Sequence, residues 1–190
     1  MKTKLMVCAV AAALGFSGMG YAALSKEERK SEQQRIASAF KAAKQNCDGL
    51  KGNAKDICMA EAKGAQKVAK AELEARDKGT PKAQANVTVA KAEAEYAVAK
   101  EKCDDLKGNA KDVCKKDAKV ALTRAKGNAK VSKESAEASK DSRERVADAR
   151  RDAVRDTNQA EYKAARERCD SLSGDAKDRC ISDVKARFGK

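Results

Sequence analysis

The chain has no histidine, no tryptophan and a single proline. Without histidine there is no imidazole base, no Ser-His-Asp triad and no histidine-ligated metal. Large apolar side chains are scarce as well. Leu, Ile, Val and Phe number 26 in 190 residues, about 14%, below the ~20% level at which disorder is the default reading. The 42% hydrophobic share is misleading, because 39 of those residues are alanine. Composition therefore disfavours a conventional core, and a fold is expected to take its stability from elsewhere. No segment alternates apolar and polar residues with a period of two, so no strands are predicted.

Residues 1–22 read as a secretory signal peptide. Lys2 and Lys4 supply the basic start, residues 5–18 the apolar stretch, and Gly20-Tyr21-Ala22 a small-residue cleavage site after Ala22. The alternative, a retained anchor, is disfavoured: the apolar stretch is shorter than the ~20 residues that span a bilayer. Cleavage removes Lys2 and Lys4, taking the net charge from +13 to +11. It also removes Cys8, leaving six of the seven cysteines. An even cysteine number in an exported chain points to disulfides.

The six cysteines lie in three related dodecamers: CDGLKGNAKDIC (47–58), CDDLKGNAKDVC (103–114) and CDSLSGDAKDRC (169–180). Eight of the twelve positions are identical in all three. The likeness continues outward. Phe40, Tyr96 and Tyr162 each precede the first cysteine by seven residues, and Ala43, Ala99 and Ala165 by four. This is an internal repeat. Each copy reads as helix, tight turn, helix. Leu50, Leu106 and Leu172 close the first helix, and Gly52, Gly108 and Gly174 suit a left-handed turn. Asn53, Asn109 and Asp175 are expected as N-caps of the second helix, with Asp56, Asp112 and Asp178 facing its positive end. In such a hairpin Cys47 faces Cys58, Cys103 faces Cys114 and Cys169 faces Cys180, as short bridges require. Other pairings are open on paper, as are reduced thiolates holding a soft metal such as Cu(I). One bridge is worth roughly 3 kcal/mol in the chain-entropy model. Three would rival the ~5–15 kcal/mol net stability of a whole domain.

The flanks support helices. Ile36, Phe40, Ala43, Cys47 and Leu50 form one seam, and Ala85, Val89, Ala92, Tyr96, Ala99, Cys103 and Leu106 another. The returning helices offer mainly alanine: Ala62, Ala65 and Ala69, then Ala118, Ala121 and Ala125. The fold class is all-α, an extended array of antiparallel helical hairpins, each stapled by a local disulfide. The expected division is a signal peptide at 1–22, hairpin 1 at 23–79, hairpin 2 at 80–127, and a long helix with hairpin 3 at 128–190. Thr80 and Pro81 open the second hairpin as N-cap and first helical residue. The stretch 126–130 repeats KGNAK without cysteines, and is expected to turn the chain or, alternatively, to continue a helix.

Charge is uneven. Residues 141–168 hold eight basic and seven acidic side chains, with Asp141–Arg145, Asp148–Arg151 and Asp152–Arg155 at helical pair spacing. Residues 107–140 hold ten basic and four acidic ones. Lys107, Lys111, Lys115, Lys116, Lys119, Arg124, Lys126 and Lys130 are therefore the candidate anion-binding residues, for lipid headgroups or polysaccharide. The competing reading is a solvated helix face. Nucleic acid is disfavoured, since aromatic residues do not interleave the basic ones.

With its three CD-x-L-x-G-N-AKD-x-C-like segments, YAVAKEKCDDL at 96–106 and the final VKARFGK, the chain resembles a group of small exported proteobacterial Ala/Lys-rich proteins. They are often labelled TolA-like or cell-envelope biogenesis proteins. The resemblance implies an envelope location rather than TolA activity. The expected role is a non-enzymatic structural or interaction module of the periplasm, with an envelope protein as partner and no cofactor. The alternatives are a binder of anionic lipid or polysaccharide, and a thiol-based metal or redox buffer.

Overall fold

A computed structural model of the chain describes residues 24–137 and 142–190. The expected signal peptide and the Asp141–Arg145 pair lie outside them. Six helices follow one another: α1 (Lys26–Cys47), α2 (Gly52–Lys78), α3 (Pro81–Cys103), α4 (Gly108–Ala136), α5 (Ser142–Cys169) and α6 (Gly174–Phe188). Among the described residues there is no strand. Each helix packs, among the described residues, only on its neighbours in the chain. The fold is a serial array of antiparallel hairpins, not a closed bundle.

Local chemistry sets the boundaries. Ser25 caps α1 in a reciprocal capping box with Glu28. Gly79, at φ +59°, ends α2, and Thr80 then accepts a hydrogen bond from the Ala83 amide at 3.2 Å with Pro81 at the first helical position. The KGNAK stretch at 126–130 does not turn: it runs inside α4, which continues to Ala136. The reason lies across the helix boundary. A Cβ on Gly127 would stand 2.8 Å from Ala153 Cβ of α5. This glycine serves a close helix approach, not a reversal. Gly64 of α2 does the same against Ala94 of α3, also at 2.8 Å.

The core is thin and mostly alanine. Ile36, Ala62, Leu73, Val87, Leu122, Ala129, Ala149 and Ala164 are buried with Cys47, Cys103 and Cys169. The expected seams hold at Ile36, Ala92, Cys47 and Cys103, and in part at Phe40, Ala43, Val89, Tyr96 and Ala99. They stop at the cysteines. Leu50, Leu106 and Leu172 do not close helices; they lie in the turns, 40%, 42% and 42% exposed. On the returning helices Ala65 and Ala121 are exposed as well. An inner helix has two neighbours and needs two apolar faces. On α3 the buried residues Ala83, Val87 and Ala90 form a second row beside the expected one.

Ion pairs also link neighbouring helices. Between α1 and α2, Arg29 pairs with Asp77 at 2.6 Å and Arg76 with Glu32 at 2.8 Å. Glu93 of α3 takes Lys67 of α2 on one side and Lys126 of α4 on the other. Each exposed pair is worth little alone. Their acid limit is predictable. Arg35 and Arg76 hold the Glu32 carboxyl down at about 2, against 4.5 ordinarily. Lys111 and Lys115 hold Asp104 down at about 2, against 3.8. For a depressed carboxyl the stabilisation is complete above its unfolded-state value and is lost as pH falls through the folded one. The melting temperature should thus be flat from neutrality to about pH 5 and fall between about pH 4.5 and 2. Thermal melts by circular dichroism check this. A Glu32→Gln, Asp104→Asn variant should lose part of that acid sensitivity.

Candidate functional site: the cross-linked corners and the basic helix

All three bridges form as hairpin symmetry requires. Cys47–Cys58, Cys103–Cys114 and Cys169–Cys180 have Cα–Cα distances of 5.6, 5.7 and 5.7 Å. The first cysteine of each pair is fully buried. The turn is the same each time. The amides of Leu50, Leu106 and Leu172 donate to the carbonyls of Cys47, Cys103 and Cys169 at 3.0–3.1 Å. Gly52, Gly108 and Gly174 then take φ of +56°, +54° and +54°. A residue with a Cβ is strained there. Because successive helices alternate in direction, the turns after α1, α3 and α5 lie on one edge of the array.

The caps differ from expectation. The N-cap positions are Lys51, Lys107 and Ser173, and none makes a side-chain cap bond. The helix opens directly at the left-handed glycine, so Asn53 and Asn109 already lie inside it. Their amides point outward to the next hairpin. Asn53 Nδ2 donates to the Glu101 carbonyl of α3 at 2.7 Å, and Asn109 Nδ2 to the Glu167 carbonyl of α5 at 2.6 Å. The receiving carbonyl is two residues before the next copy's first cysteine in both cases. This lock joins one corner to the next, and only the recurrence of Asn in two copies hinted at it. Asp175, at the third position, has no amide to donate. Replacing Asn109 by alanine should cost about 0.5–1.5 kcal/mol, the net worth of one hydrogen bond. Replacement by aspartate should cost more, since a carboxylate would face a carbonyl oxygen. Urea melts would measure both, and equal stability of all three proteins would refute the lock.

The eight candidate anion-binding residues are not a free basic face. Lys111 and Lys115 converge on Asp104 Oδ1 at 2.8 and 2.7 Å. That oxygen is shut off from solvent. Lys116 reaches Glu167 at 3.4 Å, Lys126 reaches Glu93 at 2.5 Å and Lys130 reaches Asp152 at 2.7 Å. Arg124 pairs with Glu161. Lys119 lies 5.7 Å from the centre of the Tyr96 ring. Lys107 is exposed at the N-cap of α4. The positive excess counted along 107–140 is thus met by carboxylates outside that stretch, at Glu93 and Asp104 and along α5.

The six cysteines of the described residues are all in bridges, so thiolate chemistry would require a bridge to open first. Among the described residues no group of three or more Cys, Asp or Glu side chains is placed to hold a metal ion. No described helix is long and apolar enough to cross a membrane. Compared with known protein families, curated proteins and solved structures, the chain matches none.

Proposed function

We propose that this chain is a non-enzymatic, exported helical repeat protein that serves as a structural or interaction module of the cell envelope. The observation that carries the reading is the linked row of corners, each closed by a disulfide and the first two tied onward by an asparagine. Such a row fixes the spacing of successive hairpins. Helices that pack only on chain neighbours leave their remaining faces open to a partner. Three disulfides persist in an oxidising compartment, which fits the signal-peptide reading of residues 1–22 and a periplasmic location. The test is crosslinking in intact cells followed by purification of the protein from the periplasm. The expected result is one discrete envelope partner, with crosslinks mapping to open helix faces. Recovery of no partner at native abundance would overturn the proposal.

A further inference from the structure

The two helices of the third hairpin are unequal. α6 has 15 residues and α5 has 28, so α6 covers only the part of α5 nearest the corner. Where α6 stops, an open cleft of about 770 Å³ lies between its end and the uncovered flank of α5. That is within the ~300–1,000 Å³ range of small-molecule sites. Its walls are basic. Arg150, Arg151 and Arg155 of α5 enter it, with Lys190 opposite, and no carboxylate side chain lines it. Asp152 is shared between Lys130 of α4 and Arg155 of its own helix. Arg151 and Arg155 are held only by aspartates of their own helix, Asp148 for one and Asp152 and Asp156 for the other. Arg150 makes no ion pair among the described residues.

The cleft also has an apolar side. Val154 is 60% exposed, more than any other exposed large hydrophobic residue of the described chain. It shares the cleft with Phe188, whose ring is set edge-on to Tyr162 at 5.7 Å between centroids. Asn158 and Gln159 add amide groups about one turn beyond Val154 along α5. Residues 150–159 advance about 14 Å along the helix. Along α5's stripe Val154 thus sits between Arg151 and Arg155, and the amide groups follow them.

We infer that this cleft binds single molecules of a phosphorylated amphiphile, with the phosphate among Arg150, Arg151 and Arg155 and the apolar chain over Val154 and Phe188. Guanidinium forks match phosphate oxygens in pairs. A phosphate monoester carries nearly two charges at neutral pH, which suits three arginines only partly neutralised by their own helix. The inference rests on the α5–α6 geometry alone and stands or falls apart from the envelope role.

The test is calorimetric titration of the full oxidised chain with a short-chain phosphatidic acid kept below its critical micelle concentration. The parallel arms use inorganic phosphate and the matching uncharged diacylglycerol. Saturable binding of one lipid per chain is expected, with each parallel probe at least about tenfold weaker. Arg150→Gln with Arg155→Gln should weaken binding roughly tenfold to a hundredfold, as loss of charged hydrogen bonds does. Val154→Asp should weaken it too, whereas Lys111→Gln with Lys115→Gln, distant on the second corner, should leave it unchanged. Circular dichroism confirms that each variant is folded. No saturable binding, unaltered binding by the arginine variant, or inorganic phosphate binding as tightly as the lipid would each overturn the inference.

Discussion

Replacing Cys103 and Cys114 together by alanine is expected to lower the melting temperature by about 6–12 °C. The central bridge closes a short loop, worth roughly 3 kcal/mol. For a chain of this length each kcal/mol corresponds to about 2–4 °C. Alanine keeps the helices and leaves no unpaired hydroxyl where Cys103 is wholly buried. The centre of the array should suffer more than its start. α3 and α4 each carry another helix on their far side, and the second corner holds both Asp104 and the Asn109 lock onto α5. Loosening it weakens contacts on both flanks. Removal of Cys47–Cys58 affects one end boundary, and its effect should be smaller. Non-reducing melts of the two double variants, beside wild type with reductant, decide the matter. A central variant melting with wild type would mean that the bridges add nothing to the folded state.

The second large effect is expected at Gly127. In an exposed helix, glycine to alanine gains about 1 kcal/mol. Here the added methyl would stand 2.8 Å from Ala153 Cβ and 3.3 Å from Ala153 Cα, so α4 and α5 must separate. Overpacking of this kind costs about 1–3 kcal/mol. Gly127→Ala should therefore lose about 1 kcal/mol net, and Gly127→Leu about 3 kcal/mol or more. The informative protein is the swap, Gly127→Ala with Ala153→Gly. It returns the missing volume to the boundary and should recover most of the loss. Gly49, with nothing within 4 Å, is the control and should accept alanine at no cost. If the swap fails to rescue, close approach is not the reason for this glycine.

These glycines mark the limit of what a single sequence discloses. The corners were legible because every element of them is local: two cysteines, a left-handed glycine and flanking helices lie within twelve residues, and the bridge follows from their symmetry. The same GN pair at 127–128 carries no such information, since its purpose is set by Ala153, twenty-six residues onward. The second apolar row of α3 was hidden for a related reason. Two seams on one helix blur each other's periodicity, and the alternate row Ala83, Val87, Ala90 reads as ordinary alanine-rich filler. The basic residues of 107–140 are countable in the sequence, but charge along a chain says nothing of the Glu and Asp that arrive from α3 and α5. Asn53 and Asn109 recur at one register, where neighbouring sequence offers only a capping role; the carbonyl each one meets belongs to the next hairpin.

Contacts restricted to adjacent helices have a mechanical consequence. Tension applied at the two ends would peel the chain boundary by boundary, with no central core to resist all at once. Each bridge spans a sequence separation of 11 and so withholds about 30 Å of extensible length, which no pulling force short of breaking a covalent bond releases. A stretched molecule would therefore retain three knots of fixed size, and a reductant would lengthen it in three equal steps.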